Sequence, residues 1–179
     1  MKKQPQITDR TRQKFIDAFC LLYAQMPIEK ISIQKLTNEA GYNRSTFYHY
    51  FADIYEVLEF VENDLLSYFS KSLESQETKT PQQILQLFEE KEIYVKALLG
   101  RYGNLRFLER IKKEMHISEK YFENSSDKTL IPYLMEFHIS TSLSLFHLWL
   151  NREKDLSSEK LFSLIHNLYT SGIEMFMDL

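Results

Sequence analysis

Along almost the whole chain apolar side chains recur at three- and four-residue intervals, without the sustained alternation or hairpin signals that strands require. The pattern predicts an all-α fold. A first helix over residues 8–26 places Phe15, Ala18, Phe19, Leu22 and Met26 on one face, and Pro27 ends it. A short helix follows, with Ser32 as its N-cap and Gly41 at the left-handed position just past its end. Asn43 caps another short helix over 44–50, and Asp53 opens a long one striped by Leu58, Val61, Leu65, Phe69 and Leu73. Thr80-Pro81 is a further helix start, with proline at the first helical position, and the segment runs to Leu99. "GRYGN", residues 100–104, breaks it before a helix through Met115, and residues 116–129 include a loop. A long apolar helix over 130–150, the charged turn "NREKDL" and a last helix capped by Ser157 complete the chain.

Two short helices about three residues apart, held by a glycine turn and propped against flanking helices, make a helix-turn-helix. Its second half is "AGYNRSTFYHYF", residues 40–51, with five aromatic side chains, one arginine and one histidine. On a helix Phe47 and Phe51 point the same way, as do Arg44 and Tyr48, and Ser45 and His49. Phe47 and Phe51 are therefore expected to join Leu36 and Ala40 in a small core, leaving Arg44, Ser45, Thr46, Tyr48 and His49 outside. That outer set suits a major groove: arginine offers a fork to guanine, Ser and Thr allow close approach, Tyr reaches a thymine methyl or a phosphate, and His donates to either. The helix N-terminus adds partial positive charge and free N–H groups.

Charge supports a division of the chain. Residues 1–51 carry eight Lys/Arg against four Asp/Glu, a net of +4, while the remaining 128 carry fourteen against twenty-one, a net of −7. A basic first quarter on an acidic body points to a polyanion for the first part alone. With 179 residues, 44% of them hydrophobic, the chain has material for a real core. "MKKQPQITDR" lacks an apolar signal-type run, and no stretch approaches eighteen uncharged apolar residues, so a cytoplasmic protein is expected. The single Cys20 reads as a small buried apolar residue.

The run "ISIQKLTNEAGYNRSTFYHYFADIYEVL", residues 31–58, resembles the helix-turn-helix of the tetracycline-repressor-like (TetR/AcrR) transcriptional regulators, a likeness that extends over about residues 10–60. Ala40, Gly41, Asn43, Arg44, Ser45, Thr46, Phe47, Tyr48 and Phe51 match that family's pattern in order. The resemblance implies base contacts from Arg44, Ser45 and His49, phosphate contacts from Thr46, Tyr48 and Tyr50, and support from Ser32 and Gln34, with Asn43 also in the DNA-facing set. It implies a helix-turn-helix domain over 1–52 and a helical effector-binding and dimerisation domain over 53–179. The function implied is a ligand-responsive repressor acting as a homodimer on a near-palindromic operator. An activator of the same family, or a helical protein-interaction module, is the alternative. Three positions depart from the pattern: Thr37 stands for a common alanine, Tyr42 for a smaller aliphatic, and Ile54 for a lysine that reaches the DNA backbone. The last moves backbone affinity onto Lys2, Lys3, Lys30 and Lys35. From Tyr94 onward, "ALLGRYGN" and the Trp-Leu before a charged turn are similar to the C-terminal domain of one branch, some members of which regulate dihydroxyacetone kinase genes.

The last helix is too apolar for one core. From Leu161 its apolar side chains sweep an arc of roughly 220°, where one core needs a stripe of about 100° or somewhat more. Paired final helices of a two-fold dimer account for the excess, with Leu145, Trp149, Ile165, Tyr169, Ile173 and Phe176 as the expected interface and Ser140, Thr141, Ser142 and Ser144 allowing close approach. A helix sunk in its own domain is the other reading. Candidates to line an effector cavity are Tyr94, Phe107, Tyr133, Phe137 and Trp149, for which plain core packing is the competing account. A carboxylate-bridged metal enzyme is disfavoured because Thr46, Lys113, Met135, Ser144 and Ser163 stand three residues before the five histidines, and none is acidic. With no His-Glu-x-x-His, cysteine pair, phosphate loop or nucleophile elbow either, no catalytic residue, metal or cofactor is expected.

Overall fold

The structure, a computed structural model, describes residues 5–73, 81–114 and 127–177, with side chains over 9–72, 86–104, 106–111, 113 and 127–171. Among these residues there is no strand. The helices are α1 (Pro5–Tyr23), α2 (Ile33–Ala40), α3 (Arg44–Phe47), α4 (Ile54–Leu73), α5 (Pro81–Glu90), α6 (Glu92–Leu99), α7 (Leu105–Glu114), α8 (Ile131–Asn151) and α9 (Ser158–Met177), with one-turn 3₁₀ segments at Ile28–Lys30 and Lys128–Leu130. No helix among the described residues is long and apolar enough to cross a membrane.

One contiguous core runs through the molecule. Phe15 and Phe19 of α1 meet Leu36, Phe47 and Phe51, and the cluster continues through Val57, Val61 and Leu65 of α4 to Leu98, Phe107, Phe146 and Leu161. Helix α1 packs on α2, α4 and α6, and α7 bridges α4 and α8. Cys20 sits inside this core, where burial pushes its thiol up to about 12. Across the surface of α1, the Arg12 guanidinium stacks 4.0 Å from the centre of the Phe60 ring.

One break differs from the sequence expectation. The segment from Pro81 to Leu99 is two helices, because Lys91 leaves the helical region (φ −116°, ψ 27°). Neither glycine nor proline marks the spot; tertiary partners do. The Lys91 ammonium pairs with Asp64 at 3.0 Å and lies over the Tyr68 and Tyr94 rings at 5.2 and 4.7 Å, while its carbonyl accepts from Tyr94 and Val95. The expected turn at 100–104 forms as a tight corner: a Cβ on Gly103 would lie 2.1 Å from the Leu98 carbonyl oxygen. The turn after α8 holds Glu153 and Lys154 at φ 55° and 58°, and Lys154 reaches back to the Glu92 carboxylate.

Candidate nucleic-acid interface

The helix-turn-helix is assembled by short-range capping. Ser32 Oγ accepts the Lys35 amide at 3.2 Å and starts α2. Gly41 at φ 74° ends it in the left-handed conformation, and the Tyr42 amide donates to the Thr37 carbonyl at 2.9 Å. Asn43 Oδ1 accepts both the Thr46 amide, at 2.8 Å, and the Thr46 hydroxyl, at 3.0 Å, and so starts α3. Helix α3 is shorter than expected. Its four residues are followed by a tightened turn in which His49 and Tyr50 donate to carbonyls three residues back, before Phe51 donates to Phe47 at 3.1 Å. A single turn carries little macrodipole, and Asn43 takes one of its leading amides, so the positive charge offered here is Arg44 itself.

The four-residue interval divides the aromatics as expected. Phe47 and Phe51 are buried, with the Phe47 ring edge-on to Phe15 at 5.5 Å and 5.9 Å from Phe51. Arg44, Ser45, Tyr48 and His49 are exposed, Tyr48 at 52%, and Thr46 is half-buried. Ser32, Gln34 and Asn43 are exposed on the same unit, though the Gln34 amide donates to Asn38 at 2.7 Å. Tyr50 is half-buried, its ring 6.0 Å from Phe15, so most of its surface serves the core.

Each of the three unusual positions has a local account. Thr37 is fully buried and its hydroxyl donates to the Gln34 carbonyl at 3.1 Å, which removes the cost of burying it. Tyr42 lays its ring 5.4 Å from Phe15, and the Thr11 hydroxyl reaches its oxygen at 3.5 Å. Ile54 turns into the core. The first turn of α4 is closed by its own acids, with the Glu56 amide donating to Asp53 at 2.9 Å and the Ala52 amide to the Glu56 carboxylate. That end of α4 therefore presents acids where the family pattern has a lysine. Lys35 folds back to donate to the Lys30 carbonyl at 3.2 Å, Lys30 is exposed, and Lys2 and Lys3 lie outside the described residues.

The expected effector and dimer residues fall into buried, half-buried and exposed groups. Tyr94, Phe107 and Trp149 are buried in the common core, but Tyr133 is 75% and Phe137 54% exposed on the outside of α8, so the five do not line one space. Trp149 packs 5.5 Å from Phe146 and donates its indole N–H to the Leu156 carbonyl at 2.8 Å, which satisfies ring and donor within its own chain. Leu145 and Ile165 also pack on that core, and Tyr169 is half-buried against His138, 4.0 Å between ring centres. The side chains of Ile173 and Phe176 lie outside the described residues. The exposed apolar stripe is instead Tyr133, Phe137 and Leu148 on α8 with Leu164 and Leu168 on α9. On both helices it sits one residue, or about 100°, before the expected face.

A pairing not expected from the sequence joins α4 to α7. Arg110 donates to Glu62 at 2.8 Å and to the neighbouring Asn63 at 2.7 Å. The readable signal was Glu62 itself, four residues after Leu58 and three before Leu65 in the apolar stripe of α4.

Comparison with known proteins places this geometry. No protein-family model and no curated protein matches the chain in sequence. Solved structures do match in shape. A TetR transcriptional regulator from Streptococcus agalactiae 2603V superposes with a TM-score of 0.67 at 22% identity, covering 92% of this chain and 96% of that one. A TetR-family regulator from Streptomyces coelicolor gives 0.63 at 16% identity over 93% and 82%. The dihydroxyacetone kinase operon activator DhaS gives 0.58 at 18% identity over 93% and 97%. Over nearly its whole length, the chain has the all-α fold of the TetR-family transcriptional regulators.

Proposed function

We propose that this protein is a sequence-specific DNA-binding transcriptional regulator, a homodimer that represses from a near-palindromic operator and responds to a small-molecule effector. The observation that carries the reading is the group Arg44, Ser45, Tyr48 and His49, exposed around a one-turn helix that buried Phe47 and Phe51 hold in place, within a segment of net charge +4. Residues 1–52 are the DNA-binding domain and 53–179 the dimerisation and effector domain. Arg44 and His49 read base edges while Tyr48 and Lys30 take phosphates, and the protein performs no catalysis.

The dimer forms through the exposed stripe of α8 and α9, where Ser144, between Phe137 and Leu148, lets two copies approach closely. Two recognition helices then stand about one DNA turn, or 34–36 Å, apart. An effector enters among α6, α7 and α8 near Phe107 and Trp149 and acts by binding two dimer arrangements with unequal affinity. Repression follows when the operator overlaps a promoter; DhaS, of the same fold, is an activator.

Selection of bound sequences from a random DNA pool, followed by gel shifts over a salt series, tests this. A near-palindrome should emerge, with affinity falling steeply as salt rises. Failure to enrich any sequence would favour a protein-interaction module. Transcription from a promoter overlapped by the selected site separates repression from activation.

A further inference from the structure

The first turn of α4 leaves a gap in the positive charge of the DNA-binding unit. Ile54, where the family pattern has a lysine, is buried, while Asp53 and Glu56 beside it are exposed. Their carboxylates accept the amides of Glu56 and Ala52, which closes the turn but supplies no cation. Lys35 is turned back onto the Lys30 carbonyl at 3.2 Å.

A cation reaches this end of α4 from α1 instead. The Arg12 guanidinium lies 4.0 Å from the centre of the Phe60 ring and 5.9 Å from that of Phe51. Phe60 stands one turn beyond Glu56 on α4. Its ring is edge-on to Phe51 at 6.2 Å, and Phe51 meets Phe47 at 5.9 Å. Arg12 thus ends a row of rings that begins under the recognition turn. Its neighbours hold α1 in place there: the Thr11 hydroxyl reaches the Tyr42 oxygen at 3.5 Å, and the Gln13 amide donates to the Tyr94 hydroxyl at 3.1 Å. Arg12 itself is half-buried, and among the described residues no carboxylate pairs with it and no acceptor takes its N–H groups. Stacking of this kind contributes about 0.5–1 kcal/mol at an exposed site, which keeps the side chain on the ring but leaves its in-plane donors open. A guanidinium fork held in one orientation matches two oxygens of a phosphate and loses little freedom on taking them.

We propose that Arg12 is a DNA-phosphate contact, presented from α1 on the platform of Phe60 and Phe51 to supply the charge that Ile54 does not. The proposal rests on the DNA-binding reading above. Each neutralised phosphate adds about 0.9 to the slope of log affinity against log salt, and so about 0.9 log units of affinity at about 0.1 M salt. A homodimer carries two copies of Arg12. Removing the charge should therefore lower the slope by about 1.8 and the affinity about sixtyfold.

The experiment titrates the operator selected by the wild-type protein, and a random duplex of the same length, over a salt series. Wild type, Arg12→Met and Arg12→Lys are compared, with thermal melts alongside. Arg12→Met keeps a stem that can lie on the ring and removes the charge. It should show the lower slope and lose the same factor on both duplexes, because phosphates carry no sequence. Arg12→Lys keeps the charge without the fork and should hold the wild-type slope with a smaller loss. Neutral methylphosphonate linkages walked around the half-site then locate the contact. At one position the linkage should weaken wild type and leave Arg12→Met unaffected; Arg12→Gln serves the same comparison if the methionine variant does not fold. A wild-type slope in the folded, charge-free variant, a loss confined to the selected site, or linkages that weaken both proteins equally at every position overturn the contact and leave DNA binding standing. A wild type that selects no site overturns both.

Discussion

Replacing Phe47 with alanine separates the fold of the recognition unit from its chemistry. The ring is fully buried, edge-on to Phe15 at 5.5 Å and within 6 Å of Phe51 and Tyr48. Truncating such a side chain costs about 3–5 kcal/mol, from lost transfer energy and the cavity left behind. For a domain of this size each kcal/mol lowers Tm by about 2–4 °C, so a drop of about 6–20 °C is expected. The local effect is larger than the global one. Helices shorter than about 12–15 residues are marginal alone, and α3 has four, so it exists only because Phe47 is anchored and Asn43 caps it. Below the melt, Phe47→Ala should therefore lose DNA affinity although no DNA-facing atom is removed. Arg44→Ala is the mirror image: Arg44 is exposed, so Tm should hold within about 0.5 kcal/mol of stability while the selected site loses about 1–3 kcal/mol. Thermal melts and binding titrations on both variants decide the matter. An unchanged Tm for Phe47→Ala refutes the burial, and an Arg44→Ala loss equal on selected and random DNA reduces Arg44 to a phosphate contact.

Two glycines should respond differently to alanine. At Gly41 a Cβ meets nothing within 4 Å, so only the left-handed backbone is penalised, by about 1–2 kcal/mol; at Gly103 it strikes backbone 2.1 Å away, and the larger fall in Tm should be there. Leu168 is 51% exposed on the proposed dimer stripe, so Leu168→Asp should sediment as a folded monomer, and an intact dimer would reject that face. Burial against Tyr169 lowers the His138 pKa below its ordinary 6.5. The unfolded chain then binds the proton first as pH falls, so stability should drop between pH 6.5 and the lowered folded value. A His138→Phe variant with the same slope in urea titrations across that window would show that other groups carry it.

What was legible in the sequence was local. The caps Ser32, Asn43 and Asp53, the left-handed Gly41 and the 47/51 interval each act within about four residues, so the spacing of side chains reports them directly. The break at Lys91 was hidden because its cause, Asp64 and two tyrosine rings, lies on distant segments or depends on how they pack. The turn of α8 and α9 by one residue had a similar origin. An arc of roughly 220° holds more than one face, and periodicity cannot say which part a chain keeps for its own core. Trp149 was the hardest to place, since the same ring suits a cavity, an interface or a core; in the chain itself it is buried and donates to the Leu156 carbonyl. The +4 segment and the outward set from Arg44 to His49 were readable together, but the length of α3 was not, because three-residue hydrogen bonds tighten the chain after Phe47.

The burial of Cys20 has a practical side. With its thiol pushed up to about 12 and shielded by the core, the chain's single cysteine stays protonated and out of reach of thiol reagents at neutral pH. A cysteine introduced at exposed Gln25, outside the proposed DNA-facing set, then becomes the sole site for a spin label or dye, with no need to remove the native one. One such label per protomer would turn the separation of the two reading heads into a distance measured in solution, with and without DNA.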